Sequence, residues 1–156
     1  PYVPERGTLP SVKSEPIGTW KSSRRTITTS EDAAVIARDN LLREAQETLV
    51  SIVTDKNGKI LAVNQHTIGA PDQSAVYPYF AAGQILNITG ASKVWLVHNH
   101  PSGQAKLSDA DLSVSANIGD LIADAGIERM SIIAITPSRY SDNKWSSEPL
   151  PPKPPT

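Results

Sequence analysis

The 156-residue chain has no cysteine, one phenylalanine, one methionine and three histidines. Without cysteine there is no disulfide, no thiolate zinc finger and no cysteine nucleophile, so histidines and carboxylates must supply any metal site. The same absence excludes zinc-dependent nucleobase deamination, which needs a Pro-Cys-x-x-Cys pair. No apolar run approaches the roughly 20 residues of a membrane-spanning helix. No signal peptide is visible either, so a soluble, cytoplasmic protein is the expectation. The formal net charge is −1, which gives no strong electrostatic case for binding a polyanion.

Proline is plentiful but unevenly spread. Of the 13 prolines, nine lie in Pro1 to Pro16 and Pro149 to Pro155, where few apolar residues accompany them, and such stretches read as extended linkers or tails. The expected division is therefore a proline-rich N-terminal extension over 1–25, one folded domain over 26–145 and a proline-rich tail over 146–156. Proline-rich flanks and a start without Met favour a module cut from a longer polypeptide. Trp20 and Trp145, one at each end, are candidates to fold back and pin these tails.

Within the domain the elements follow from periodicity and turn signals. Ser30 is a candidate cap for a helix through Ala33-Ala34-Val35-Ile36-Ala37 and Leu41-Leu42. Thr48 to Thr54 and Lys59 to Gln65 flank Asp55-Lys56-Asn57-Gly58, a hairpin signal. Tyr77 to Leu86 reads as a helix carrying Phe80, Ala81 and Ile85 inward, and Lys93 to His98 as a strand. Asp109 to Ala125 is expected to be a helix burying Leu112, Ala116, Leu121 and Ile122, stopped by Gly126. Ser131 to Thr136 is then a buried strand. This order predicts an α/β sheet packed by helices on its faces.

The chemistry is concentrated in His98-Asn99-His100-Pro101-Ser102-Gly103, followed by Ser108 and Asp111. Residues two apart on a strand share a face, so both imidazoles can converge on one ion. Asp111, in the first turn of the next helix, can swing a carboxylate back to them. Two nitrogens and one oxygen leave a tetrahedral zinc with an open fourth position, the catalytic pattern. Taken alone, Ser108-x-x-Asp111 is equally well explained as a helix capping box. His66, the remaining histidine, reads as structural or surface.

His-x-His-Pro-x-Gly with Ser-x-x-Asp at this spacing resembles the JAMM (JAB/MPN) metallopeptidase motif, and His-Asn-His-Pro-Ser-Gly looks most like its RadC-like branch. The resemblance runs from about Glu44 to about Tyr140. It implies a JAB/MPN-type layered α/β domain, a central mixed sheet flanked by helices, related in architecture to the cytidine-deaminase fold. It further implies Zn2+ held by His98, His100 and Asp111, with Ser108 helping to stabilise an oxyanion. The family also places a glutamate general base at the start of the first core strand, where Glu47 stands. Glu44 is its rival, and spacing alone does not choose between them. Typical members carry a His before Pro in the segment matching Tyr77-Pro78, and an Asp-His pair near Glu128-Arg129 or Arg129-Met130. This chain has neither, nor the helix-hairpin-helix region that often precedes the domain.

Three functions remain open at this point. The first is a zinc hydrolase cleaving a peptide or isopeptide bond in a protein or peptide, including another domain of a longer polypeptide. A base such as Glu47 would take the proton of the attacking water and pass it to the leaving amine. The second is a DNA-associated accessory module, for which Lys21, Arg24 and Arg25 beside Trp20 are the nucleic-acid hint. The third is a protein-binding scaffold, against which an intact His98, His100 and Asp111 argue.

Overall fold

Around Asp55-Lys56-Asn57-Gly58 the chain reverses as its turn residues require. Gly58 takes φ +85°, and Asp55 Oδ1 accepts hydrogen bonds from the Asn57 and Lys59 amides, the way Asp stabilises a turn through its own side chain. In the computed structural model, which describes residues 12–16, 26–41, 48–68, 78–100, 103–143 and 145–152, this turn joins β2 (Leu49–Thr54) to β3 (Ile60–Ile68). On the other side of β2 lies β4 (Lys93–Asn99), antiparallel to it, and β5 (Glu128–Ile135) runs parallel to β4. With β1 (Val12–Pro16), β6 (Arg139–Ser141) and β7 (Glu148–Pro149) the sheet has seven strands in the order β1-β3-β2-β4-β5-β6-β7.

Strand alternation divides the core into two layers. Val50, Ile52, Trp95, Val97, Ile133 and Ile135 face α1 (Ser30–Leu41), whose Ala33, Ala34, Ile36 and Ala37 lie against them. On the opposite side Leu49, Val53, Val94, Leu96, Ile132 and Ala134 meet α2 (Pro78–Leu86) and α3 (Asp109–Ala123) through Ala81, Ile85, Ile118 and Ile122. The result is a mixed sheet flanked by helices, as expected.

Three local expectations need correction. The cap of α1 is Thr29, not Ser30: Thr29 Oγ1 accepts from the Asp32 amide, and Asp32 Oδ2 accepts from the Thr28 and Thr29 amides. From Thr29 an acid, Asp32, stands three residues on to reciprocate; from Ser30 that place is Ala33. Phe80 is 59% exposed. The buried stripe of α2 is Ala81, Ala82 and Ile85, where small residues let the helix lie close to the sheet and Phe80 turns away from it. Trp145, 81% exposed, does not fold back, and Trp20 lies outside the described residues.

Segments read from their prolines as tails also contribute to the sheet. Val12–Pro16 pairs with the outer edge of β3. Glu148–Pro149 pairs with β6, the Leu150 amide donates to the Ser138 carbonyl, and Arg38 of α1 donates to the Pro151 carbonyl. Leu150 adds an apolar anchor to these contacts, since it is buried in the same core cluster as the α1 residues.

One polar pair sits inside the sheet layer. His66 of β3 and Ser51 of β2 are both buried, with His66 Nε2 3.0 Å from Ser51 Oγ. Burial pushes the His66 imidazole down to about 4, since desolvation disfavours its charged form.

Two stability predictions follow. Gly58→Ala places a side chain in the left-handed region and its Cβ 2.5 Å from the Ile27 carbonyl oxygen, whereas at Gly126, with φ +81°, an added Cβ meets nothing within 4 Å. Denaturant unfolding should show a loss of about 1 kcal/mol for Gly126→Ala and about 3 kcal/mol for Gly58→Ala; equal losses would mean that the approach to Ile27 carries no weight. For His66, an unfolded histidine takes up its proton near 6.5, so between about 6.5 and about 4 the unfolded state binds more protons than the folded one. Stability should fall by about 3 kcal/mol as pH drops through that window, and His66→Gln should flatten this slope.

Candidate metal centre

β4 and the residue that follows it bring the two candidate histidines to one face by parity. Val94, Leu96 and His98 face the α3 side, and the same alternation would continue to His100, one residue past the strand. The backbone extends this order beyond β4, since the Asn99 amide donates to the Thr48 carbonyl and the His100 amide to the Ile135 carbonyl. His100 is therefore held between the neighbours of β4 and does not swing on a free loop. The two rings meet edge to face, with centroids 4.8 Å apart and planes at 82°.

The chain then passes Ala105 and Leu107, both buried, and enters α3 through a complete capping box. The Asp111 amide donates to Ser108 Oγ at 3.0 Å, and the Ser108 amide donates to Asp111 Oδ2 at 2.9 Å. The cap and the ligand arrangement coexist in one carboxylate, because Asp111 Oδ1 lies 2.6 Å from His98 Nδ1. Ser108 Oγ is occupied only as an acceptor, which leaves its hydroxyl proton to donate.

Turning Asp111 inward decides the face of the whole helix. The buried stripe is Asp111, Ser115, Ile118 and Ile122, at the three- and four-residue steps of a helical face. Of the expected core residues only Ile122 is on it; Leu112 and Ala116 are exposed and Leu121 is half-buried. Leu112 is displaced because the residue before it is claimed by the histidines.

Gln104 is the participant that side-chain reasoning missed. His100 Nδ1 lies 3.0 Å from the Gln104 carbonyl; a carbonyl only accepts, so Nδ1 donates to it. Nε2 is thereby turned toward the other two members of the group, 3.2 Å from His98 Nδ1 and 3.4 Å from Asp111 Oδ2. No residue type in the sequence signals this contact, since the acceptor is main chain.

Burial by itself would raise the Asp111 carboxyl. The hydrogen bonds from His100 and His98, the charge of His98 and the Ser108 amide outweigh it and hold the group well below the usual carboxylate range. The imidazoles thus share protons with the carboxylate, and the same three side chains form a group that could hold a metal ion in their place.

Two imidazoles and a carboxylate are a donor set of the kind that could hold zinc. Bonds of about 2.0–2.1 Å in a tetrahedron put ligand atoms about 3.3 Å apart; the two contacts of His100 Nε2, at 3.2 and 3.4 Å, match that spacing, whereas His98 Nδ1 and Asp111 Oδ1, 2.6 Å apart, are at hydrogen-bond distance and would have to separate around an ion. Among the described residues His98, His100 and Asp111 form the one such group, their ligand atoms all within 4.8 Å of one another. His66 stays apart: in the strand register it lies beside Leu49, and Leu49 beside His98, so two strand spacings separate the histidines. Glu47 and Glu44 lie outside the described residues, as do Pro101, Ser102 and the Lys21, Arg24 and Arg25 cluster. No described helix is long and apolar enough to cross a membrane.

The chain is 27% identical over 130 residues to a UPF0758 protein of Desulforudis audaxviator, covering 83% of this chain and 53% of that protein. It is 30% identical over 115 residues to a UPF0758 protein of Shouchella clausii, covering 74% and 50% respectively. A third, from Legionella pneumophila strain Lens, is 27% identical over 104 residues, 64% of this chain and 45% of the relative. The chain spans about half the length of the curated relatives it matches. The profile of the family described as RadC-like JAB domain matches residues 27–144, a stretch that contains His98, His100 and Asp111, and the chain belongs to that family.

Proposed function

We propose that this domain is a zinc-dependent hydrolase of JAMM type, cleaving a peptide or isopeptide bond in a protein or peptide substrate. The observation that carries the reading is the convergence of His98 Nδ1, His100 Nε2 and the Asp111 carboxylate at the end of β4. Zinc, when bound by these three, supplies a Lewis acid for the amide carbonyl and lowers the pKa of its water toward neutrality.

The chain's own groups divide the remaining work. The Gln104 carbonyl keeps the proton of His100 on Nδ1 and so keeps Nε2 a ligand. The Ser108 amide and hydroxyl hold Asp111 in place, and the Ser108 hydroxyl proton is available to an oxyanion, a contact whose value rises in a site that excludes water. Glu47, two residues before β2, is proposed as the group that accepts a proton from the attacking water and returns it to the leaving amine. Such a role is worth about 10²–10⁴-fold in rate.

The decisive experiment measures zinc content and hydrolysis of a panel of peptide and isopeptide substrates for the wild type, His100→Ala and Glu47→Gln. Wild-type protein purified without chelators should hold one zinc per chain, His100→Ala should lose it, and Glu47→Gln should keep it while losing about 10²–10⁴-fold in rate. Wild type that neither holds nor takes up zinc would end the enzyme reading; Glu47→Gln with full activity would end the assignment of the base. Ser108→Ala separates capping from catalysis. Loss of the cap should lower stability by about 1 kcal/mol. An oxyanion role adds a fall in kcat with KM unchanged, measured at saturating zinc, and an unchanged kcat would leave Ser108 as a cap alone.

A further inference from the structure

Two of the three ligands are placed by the sheet itself, through β4 and the amides of Asn99 and His100. Asp111 sits on a different element, so its distance from the histidines depends on where α3 lies along the sheet. Farther along the helix, Ile118 and Ile122 enter the core, but apolar contacts are non-directional and tolerate sliding. A directional contact occurs one turn after Asp111 on the same stripe. Ser115 is buried, and its Oγ accepts a hydrogen bond from the Arg129 guanidinium of β5 at 3.0 Å.

Arg129 reaches Ser115 by lying across Gly119. A Cβ added at that position would stand 2.8 Å from Arg129 Nε and 3.2 Å from its Cδ, so the Arg129 side chain would have to shift out of its place on Ser115. Glycine inside a helix is less favourable than alanine, and Gly119 is not among the glycines with positive φ. Glycine there leaves room for the Arg129 side chain to cross the helix. β5 is also the parallel neighbour of β4, so this contact ties the helix bearing the third ligand to the strands bearing the first two.

We propose that Arg129, acting through Ser115 and admitted by Gly119, is a positioning residue for the metal centre. It sets α3 against the sheet so that the Asp111 carboxylate meets His98 and His100. The proposal rests on the reading of those three residues as a zinc site. Ligand constellations of this kind tolerate errors of only about 0.5 Å, and the planar guanidinium suits the task because its donors are fixed in direction.

The test compares wild type, Gly119→Ala and Arg129→Met as full chains. Zinc affinity is read by chelator competition, ligand geometry by the visible absorption of bound Co2+, and stability by thermal unfolding without added metal. Gly119→Ala should raise the unfolding temperature by about 2–4 °C through helix propensity, yet weaken zinc about tenfold and change the Co2+ band. A merely structural role would not separate these readouts. Arg129→Met adds no atom at the crossing and should weaken zinc by a similar factor, which keeps the question answerable if Gly119→Ala folds poorly. Wild-type zinc affinity and Co2+ spectra in both variants would overturn the positioning role while leaving the metal centre intact. A wild type that binds no zinc would instead overturn the metal centre itself, and with it this role.

Discussion

A single buried carboxylate organises the functional end of this domain. Asp111 is removed from water, where an unpaired charge is costly, and no lysine or arginine pairs with it in the described contacts. Its partners are His98 and His100 at the end of β4 and the Ser108 amide at the start of α3. Because both oxygens are committed, to different elements, the carboxylate fixes three things at once: where α3 begins, which face it buries and how the helix approaches β4.

The electrostatics of the site follow from that commitment. Imidazoles can be donors to Asp111 or ligands beside it, and the Gln104 carbonyl biases His100 toward the second role by holding its proton on Nδ1. A cation placed among these atoms replaces shared protons with a charge that suits all three donors. The cap and the proposed metal site are two uses of the same carboxylate, and an assignment of Asp111 to either alone would miss half of its contacts.

The sheet supplies the rigidity. β2 is buried along its whole length; the Thr48 carbonyl just before it holds the Asn99 amide, and Ile135 of β5 holds the His100 amide one residue past the end of β4. His98 and His100 thus emerge at the carboxyl end of the parallel pair β4 and β5, the place where α/β sheets present their ligands. Arg129 and Ser115 extend the same principle to α3, linking a helix that could slide to strands that cannot.

Much of this was legible in residue order. Asn57-Gly58 between β-rich runs marked the hairpin, the two-residue spacing of His98 and His100 marked a shared face, and Gly126 marked the end of α3. These features depend on neighbours in sequence and on backbone geometry alone. The face of α3 was not legible: periodicity favoured Leu112, Ala116 and Leu121, and the chain buries Asp111, Ser115 and Ile118 in preference. Hydrophobicity cannot announce that a carboxylate goes inside, since the burial becomes favourable only when imidazoles from another element are there to meet it. The same holds for Leu150, whose prolines suggested a tail while its docking depended on an apolar gap beneath α1. The sequence by itself determined the core strands and helices, the hairpin turn and the residues of the candidate metal site. Tertiary structure alone decided which side of α3 faces the sheet and how Ser108, Gln104 and Arg129 support the site. Those contacts are made between distant stretches of chain, and their energies exist only once both partners are in place.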